Sequence, residues 1–246
     1  MGTLALPGIE IQRAEDRFVT KTSWLQGRHS FSFGWHYDPE NTNHGLLLVN
    51  NDDVVQPRTG FDTHPHRDME IVTWVLEGEL EHKDTLGNSD VIYPGLAQRM
   101  SAGRGIWHSE KNPSQDKVVR LVQMWVLPDT ESIDPSYQQM DINPQLAAGG
   151  LVPLASGRDH HAAIRIRQQG AVLWVGRLAP GGAVTIPDSQ FAHVYIAQGA
   201  AVLEGGGDLR EGDSARLTLA GAPELIAGRT GAEVLVWDIN VGVGEG

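Results

Sequence analysis

Short runs of apolar and β-branched residues, separated by turn residues, occupy most of the chain from Phe31 to Leu127. The segment Glu70–Glu77 (EIVTWVLE) has the composition of a β-strand. Gly78 follows it, and we expect Glu79–Lys83 to be its hairpin partner. The segment Val118–Leu127 (VVRLVQMWVL) is apolar at most positions, which predicts a strand that is buried on both faces.

The second half of the chain follows a polar, proline-containing segment, Pro128–Gly150, which we interpret as a crossover between two halves. Strand patterns then resume and cover Ala162–Arg167, Val172–Leu178, His193–Ala197 and Glu233–Val241. Helical periodicity is weak, and the candidates for short helices are Ser136–Met140 and Pro144–Ala148. The pattern therefore predicts an all-β fold.

The two halves repeat one pattern at a constant offset. Val72–Gly78 (VTWVLEG) corresponds to His193–Gly199 (HVYIAQG), and Pro94–Gly95 corresponds to Glu211–Gly212 if a short deletion is allowed. Two similar β-barrels joined by the crossover are the architecture that this repeat predicts. We place the first domain at residues 1–130, and the crossover with the second domain at residues 131–246.

Composition narrows the classes of protein to consider. The 246 residues contain 29 Gly, 13 Pro and no Cys, so turns are frequent, and disulfides, thiolate metal sites and cysteine nucleophiles are excluded. The 19 Lys and Arg against 31 Asp and Glu give a formal net charge of −12, which disfavours direct binding to nucleic acid. We find no basic, apolar leader and no apolar run long enough to span a membrane, so we expect a cytoplasmic protein without a membrane partner.

Two short motifs place side chains of the metal-binding type on extended chain. In His64-Pro65-His66 and in His108-Ser109-Glu110, the first and third side chains lie on the same face of a strand. If the two segments face each other across a barrel, they bring three imidazoles and one carboxylate to a single point. Such a set suits a first-row transition metal with open positions for water or substrate. Glu70 continues the parity of His64 and His66, so it is a second candidate for the carboxylate.

The other histidines receive weaker assignments. We expect His82 on the surface, because it follows the predicted hairpin turn. The rest are expected to be solvated (His160 and His161), structural (His29, His36 and His44), or interior or at a pocket rim (His193).

Several longer motifs resemble the pirin family. They are SFSFG at Ser30–Gly34, YDP at Tyr37–Pro39, HPHRDMEIVTWVLEG at His64–Gly78 and MSAGRGIWHSE at Met100–Glu110. The resemblance covers about Arg28–Pro128 and implies a bicupin, in which two cupin β-barrels pack together. It also implies one metal ion in the N-terminal barrel, with the ligands His64, His66, His108 and Glu110.

The resemblance has further implications for the metal and the activity. The metal is most often Fe(II), with Mn, Co, Ni, Cu or Zn able to substitute. Bacterial pirins can act as quercetin 2,3-dioxygenases, so we expect a metal-dependent dioxygenase that cleaves a flavonol with O2, releases CO and uses Glu110 as its catalytic base. The eukaryotic protein is discussed as a co-regulator of transcription. The alternative function is therefore an iron-binding, redox-responsive module that binds a protein partner.

The carboxylate ligand and the second barrel are two further points of expectation. General cupins use the spacing H-x-H-x3-E, which Glu70 satisfies, whereas the pirin pattern uses Glu110. We favour Glu110 as the ligand and Glu70 as a hydrogen-bond partner that orients an imidazole. In the second half, the corresponding residues are Thr185, Pro187, Phe191, Leu225 and Ala227. Because none of these binds metal, we expect the C-terminal barrel to be metal-free.

Overall fold

The structure is a computed structural model that describes residues 7–158, 160–161 and 164–244. The strands of the first half are β1 (Gly8–Gln12), β2 (Phe18–Lys21), β3 (Leu25–His29), β4 (Leu47–Val55), β5 (Gly60–His66), β6 (Glu70–Glu77), β7 (Leu80–Asp84), β8 (Ser89–Ile92), β9 (Leu96–Ser101), β10 (Ile106–Lys111) and β11 (Val119–Val126). The elements that follow are β12 (Ser136–Asp141), α1 (Asn143–Leu146), β13 (Val152–Ser156), β14 (Ile164–Arg165), β15 (Ala171–Leu178), β16 (Ala183–Thr185), β17 (Phe191–Leu203), β18 (Gly207–Arg210), β19 (Ser214–Thr218) and β20 (Glu224–Ile239). The predicted all-β fold is confirmed.

The strands form three sheets. One has seven strands in the order β12-β9-β6-β11-β4-β3-β2, and a four-stranded sheet has the order β5-β10-β7-β8. Together these two sheets form the first barrel. The third sheet has the order β1-β19-β17-β20-β15-β13-β14, with β16 paired to β20 and β18 to β17, and it curls into the second barrel. Within the described ranges, no helix has the length and apolar character that a membrane crossing requires.

The central strands β6 and β11 are buried on both faces. For β11 this confirms the prediction from the apolar run Val118–Leu127. On one face of β6, Trp74 packs with Leu173 and Trp237 of the third sheet in a core between the two barrels. On the opposite face, Val75 packs with Leu121 inside the first barrel. Side chains of a strand alternate between the two faces, so a strand between two cores must be apolar at nearly every position.

Three local predictions need correction. Leu80–Asp84 is a strand, but it pairs with β8 and β10 rather than with β6, which pairs with β9 and β11. The chain leaves one sheet at Gly78 and enters the other, so the two strands do not form a hairpin. Residues 136–140 form β12 and not a helix, because they pair with β9 and become the edge strand of the seven-stranded sheet. Of the predicted strand Ala162–Arg167, the structure has Ile164–Arg165, and residues 162 and 163 lie outside the described residues.

The two halves exchange segments along the chain. Strand β1 pairs with β19 of the second barrel, and β12 pairs with β9 of the first. The division between residues 130 and 131 therefore stays a prediction. The repeated pattern has a clear structural basis, because β6 and β17 are both central strands and the two matching glycines have the same φ of 77°. Gly78 directly follows β6, whereas Gly199 lies within β17, where the register with β20 shifts.

Candidate metal centre

Three strands of the four-stranded sheet carry the candidate ligands on their inner face. In the antiparallel register, His108 lies opposite His64 on one side and opposite Asp84 on the other, and Glu110 lies opposite His82. The two motifs are thus neighbours in one sheet. Our expectation that they face each other across the barrel is wrong, and direct strand pairing brings them together instead.

A β-bulge adjusts the position of the histidine pair on β5. His64 lies opposite His108, but Phe61 lies opposite Glu110, so β5 holds one more residue than β10 over this stretch. Bulges of this kind redirect side chains next to active sites. The strand begins at Gly60, where a Cβ atom would lie 2.2 Å from the carbonyl oxygen of Glu110. A side chain at this position would push the two strands apart.

The hydrogen bonds of His64 determine which of its ring nitrogens is free. Its Nδ1 lies 2.7 Å from the carbonyl oxygen of Asp62, which can only accept, so Nδ1 carries the proton. The lone pair is then on Nε2, which points into the barrel and lies 3.1 Å from Nε2 of His108. The bulge places the Asp62 carbonyl where it can accept this bond.

A second chain of contacts orients His108 from behind. Nε2 of His82 lies 3.2 Å from Oδ2 of Asp84, and Nδ1 of His82 lies 3.5 Å from Nδ1 of His108. If His82 donates to the carboxylate, its Nδ1 accepts from Nδ1–H of His108, which leaves a lone pair on Nε2 of His108. Two lone pairs would then face each other across 3.1 Å. That contact is repulsive unless a cation lies between or beside them.

Burial keeps the imidazoles of His66 and His108 uncharged. It lowers the pKa of His108 to about 3 and that of His66 to about 4, and the neighbouring histidines lower both values further. Nε2 of His66 is buried and has no hydrogen-bond partner in the described part of the chain. A neutral imidazole with an unused nitrogen is the form that binds a transition metal.

Glu110 is held by side chains on the opposite sheet of the barrel. Nε2 of Gln123 donates to Oε2 at 2.8 Å and to Oε1 at 3.1 Å, and the hydroxyl of Thr73 lies 3.5 Å from Oε1. The indole N–H of Trp125 donates to Oε1 of Gln123 at 3.1 Å, which fixes the orientation of the amide. The buried carboxyl group of Glu110 therefore has a defined position and orientation.

The structure groups the candidate ligands in two overlapping sets. His64, His66 and His108 offer ligand atoms within 4.8 Å of one another, and so do His82, His108 and Glu110. In the described residues these are the groups with the composition and spacing of a metal site, and both belong to the first barrel. A single site with the four ligands His64, His66, His108 and Glu110 stays a prediction, with His108 as the member that joins the two sets.

Two side chains differ from expectation. His82 is 0% exposed, so the surface position that we predict for it is wrong. The signal that would have placed it inside is its parity with Leu80, which is also fully buried. Glu70 is buried too, but its described hydrogen bonds come from the Ser101 hydroxyl at 2.8 Å and the Arg167 amide at 3.0 Å, so it does not orient an imidazole.

The remaining histidines largely follow the sequence analysis. His160 and His161 are exposed, and His193 is fully buried in the interior. Aromatic stacking involves His29 and His36, both of which contact Phe18, and His44 packs against Phe191.

Another buried carboxyl, Asp53, lies in the same barrel. Burial raises the pKa of Asp53 to about 8, and the nearby charges of Asp52 and Glu110 contribute to the rise. Its Oδ1 atom has no hydrogen-bond partner among the described residues. The side chain fits because residue 27 is glycine, where a Cβ would lie 2.4 Å from Oδ1. No sequence pattern singled out Asp53, since its burial follows from the closure of the barrel.

Comparison with known proteins identifies the family. The Pirin family model matches residues 12–126. A Mycobacterium tuberculosis protein (strain H37Rv), provisionally named a quercetin 2,3-dioxygenase, is 56% identical over 238 residues, which cover 96% of this chain and 97% of the relative. The chain belongs to the pirin family. A protein of Escherichia coli K12 named quercetin 2,3-dioxygenase is 46% identical over 131 residues, which cover 53% of this chain and 57% of that protein.

Solved structures agree with this membership in the pirin family. YhhW from Escherichia coli has a TM-score of 0.87 and 32% sequence identity, and the match covers 96% of this chain and 99% of YhhW. The same bacterial pirin in complex with nickel(II) also has a TM-score of 0.87 at 32% identity, and the match covers 95% of this chain and 100% of that one. The two barrels described above are the bicupin fold that the resemblance implies.

Proposed function

We propose that this pirin is a metal-dependent dioxygenase of the quercetin 2,3-dioxygenase type, which cleaves a flavonol with O2 and releases CO. The observation that carries the proposal is the pair of Nε2 atoms of His64 and His108, which lie 3.1 Å apart in a cluster of three imidazoles that also contains His66. The names of the relatives from Mycobacterium tuberculosis and Escherichia coli support the same reaction.

The donor set fits a divalent first-row metal. His64, His66 and His108 would supply imidazole nitrogen, and Glu110 would supply carboxylate oxygen. This combination suits iron, manganese, cobalt, nickel, copper or zinc. We propose Fe(II) as the working metal, with the other ions as substitutes. The unpartnered Nε2 of His66 supports the fit. A buried nitrogen without a hydrogen bond is costly, and a metal ion that accepts its lone pair removes this cost.

Glu110 is the residue that we assign as the general base. When bound, the metal supplies Lewis-acid chemistry that lowers the pKa of a flavonol hydroxyl. The carboxylate of Glu110 then accepts that hydroxyl proton. Gln123 and Thr73 keep the carboxylate in a single orientation, so no reorganisation is needed when the substrate arrives.

The aromatic side chains beside the histidines suit a flat substrate. The ring of Trp125 lies 4.9 Å from that of His66, Phe33 lies 5.7 Å from Trp125, and His29 lies 5.0 Å from Phe33. Phe33 and Trp125 are partly exposed, so this wall lies at the open side of the barrel. Ring systems such as a flavonol gain binding energy from stacked and edge contacts with such a wall.

Aerobic quercetin turnover by protein of known metal content tests the proposal. We expect loss of the flavonol absorbance together with CO release, and we expect both to disappear in His64→Ala. The exposed His161→Ala is the matched control and should behave as the unmodified protein. Stoichiometric metal without turnover would contradict the flavonol reaction. In that case, different partner affinities of the ferrous and ferric forms would support the regulatory alternative.

A further inference from the structure

Two arginines lie buried between the barrels without a carboxylate to neutralise them. Arg17 is 3% exposed and Arg216 is 9% exposed. Their described hydrogen bonds go to neutral oxygens. Nη2 of Arg17 donates to the Ser30 hydroxyl at 2.6 Å, and Nη2 of Arg216 donates to the Ser30 carbonyl at 2.7 Å and to Oδ1 of Asn41 at 2.6 Å. Two positive charges therefore converge on Ser30.

Several donors around these arginines have no acceptor. Nε and Nη1 of Arg17, Nε of Arg216 and both ring nitrogens of His193 are buried without a hydrogen-bond partner among the described residues. His193 is 0% exposed, and burial keeps its pKa well below the usual value, so one of its nitrogens carries a hydrogen. Buried donors left unpaired are costly, and here they lie together at one place.

Aromatic rings fix the orientation of the two guanidinium groups. Arg17 lies 4.8 Å from the ring centre of Tyr195, and Arg216 lies 4.6 Å from that of Phe31. The ring of Phe31 is in turn 5.8 Å from that of His193. Stacking occupies the faces of the guanidinium groups and leaves their N–H edges for a ligand. Arg17 and Phe31 come from the first barrel, and the other three side chains come from the second.

The nearby carboxylates do not neutralise this pair. Asp52 is bound by Arg120, whose Nη2 lies 2.7 Å from its Oδ2, and it also accepts the Tyr195 hydroxyl. Glu10 lies opposite Arg216 in the register of β1 and β19, but it is exposed to solvent. Water molecules can satisfy unpaired N–H groups, yet they cannot supply the missing negative charge.

We propose that a small inorganic anion, chloride or phosphate in size and charge, binds among Arg17, Arg216 and His193 and joins the two barrels. An open cavity of about 210 Å³, lined in part by Glu10, His44 and Arg216, connects Arg216 to solvent. The anion completes the hydrogen bonds of both arginines, and because these belong to different barrels, it stabilises their association. This site is separate from the candidate metal centre and does not depend on the proposed function.

A crystal of the unmodified protein grown in sodium bromide tests the site directly. We expect an anomalous peak for bromide within hydrogen-bond distance of Arg17 and Arg216 nitrogens. Density for water alone at this position, or a carboxylate of the chain inserted there, would overturn the proposal. The experiment needs no variant, so a failure to fold cannot obscure the result.

Thermal unfolding in solution provides the second test. At constant ionic strength, replacement of gluconate by chloride should raise the Tm along a saturating curve, as binding to the folded state alone requires. We expect Arg216→Gln to lose this dependence and the exposed Arg229→Gln to keep it. A Tm that depends on ionic strength alone, equally in all three proteins, would overturn the proposal even if bromide is present in the crystal.

Discussion

The two barrels share a strand arrangement but have opposite interiors. In the first barrel, inward positions on β5, β7 and β10 carry His64, His82 and His108. In the second barrel, the corresponding interior positions carry Leu203, Leu225 and Ala227. These residues are 1%, 0% and 4% exposed and pack in an apolar cluster. One architecture thus supports either a site or a core, and the side chains at a few inward positions decide which.

This difference has an energetic consequence. Burial of imidazoles and carboxylates costs free energy unless each polar atom finds a partner, whereas buried leucines stabilise the fold directly. The first barrel retains unpaired atoms, such as Nε2 of His66 and Oδ1 of Asp53. We therefore expect bound metal to stabilise the first barrel and the second to be stable without it. The predictions below test this contrast.

Removal of a proposed ligand should have the largest effect. In His108→Ala, the residue common to both ligand groups is lost, and we expect the metal content to fall from one ion per chain to none. Loss of affinity should exceed the roughly 10- to 100-fold typical of residues that only orient a ligand. Elemental analysis after dialysis measures the metal content. Thr185→Ala in the second barrel is the control, and an equal loss there would contradict the asymmetry.

Truncation of the second core should affect stability and not metal binding. Leu225 is fully buried, so Leu225→Ala should lower the free energy of unfolding by about 2–5 kcal/mol through lost contacts and a residual cavity. Urea denaturation with metal-loaded protein gives the value. The exposed Leu219→Ala should change stability little. A loss of bound metal in Leu225→Ala under native conditions would show that metal binding in the first barrel depends on the core of the second.

Conversion of one inward histidine to its counterpart in the other barrel should have an intermediate effect. His82→Leu copies Leu203 and removes the acceptor for Nδ1–H of His108, so the His108 ring loses its preferred tautomer and orientation. We expect metal affinity to fall by about 10- to 100-fold while the fold persists. Isothermal titration with nickel(II) measures the affinity, and circular dichroism checks the fold. An unchanged affinity, equal to that of His161→Leu, would show that His82 does not orient His108.

The pH dependence of stability should show an effect that is smaller for each pH unit and that also belongs to the first barrel. The pKa of Asp53 rises from 3.8 to about 8 on folding, so the folded protein retains a proton that the unfolded chain releases at lower pH. Its contribution to stability is therefore complete below pH 4 and is lost as the pH rises towards 8, by about 1.4 kcal/mol per pH unit.

The Asp53→Asn substitution isolates this contribution. Asparagine cannot ionise, so the fall in unfolding free energy between pH 5 and pH 8 should be less steep in the variant. Urea denaturation of metal-free protein at each pH measures the slope. The exposed Asp188→Asn should keep the slope of the unmodified protein, and a slope that Asp53→Asn leaves unchanged would contradict the buried, protonated state.

Particular elements show where sequence reasoning succeeded and where it did not. Strands β6 and β11 were predictable because both of their faces are buried, so that nearly every position is apolar. The partner of β7 was not predictable, because a chain that passes Gly78 can turn back along the same sheet or cross to the other sheet of the barrel. His82 shows the same limit, since its interior position follows from the sheet that β7 joins.

The sequence by itself determined the all-β class, the repeat, the absence of thiol chemistry and the two motifs that carry the candidate ligands. These follow from local composition and from the alternation of side chains along a strand. Only the tertiary structure decided that the two motifs are neighbours in one sheet, that His82 and Asp84 lie behind His108, and that Arg17 meets Arg216 between the barrels. Each of these contacts joins residues that are distant in the chain, and strand pairing and barrel closure bring them together.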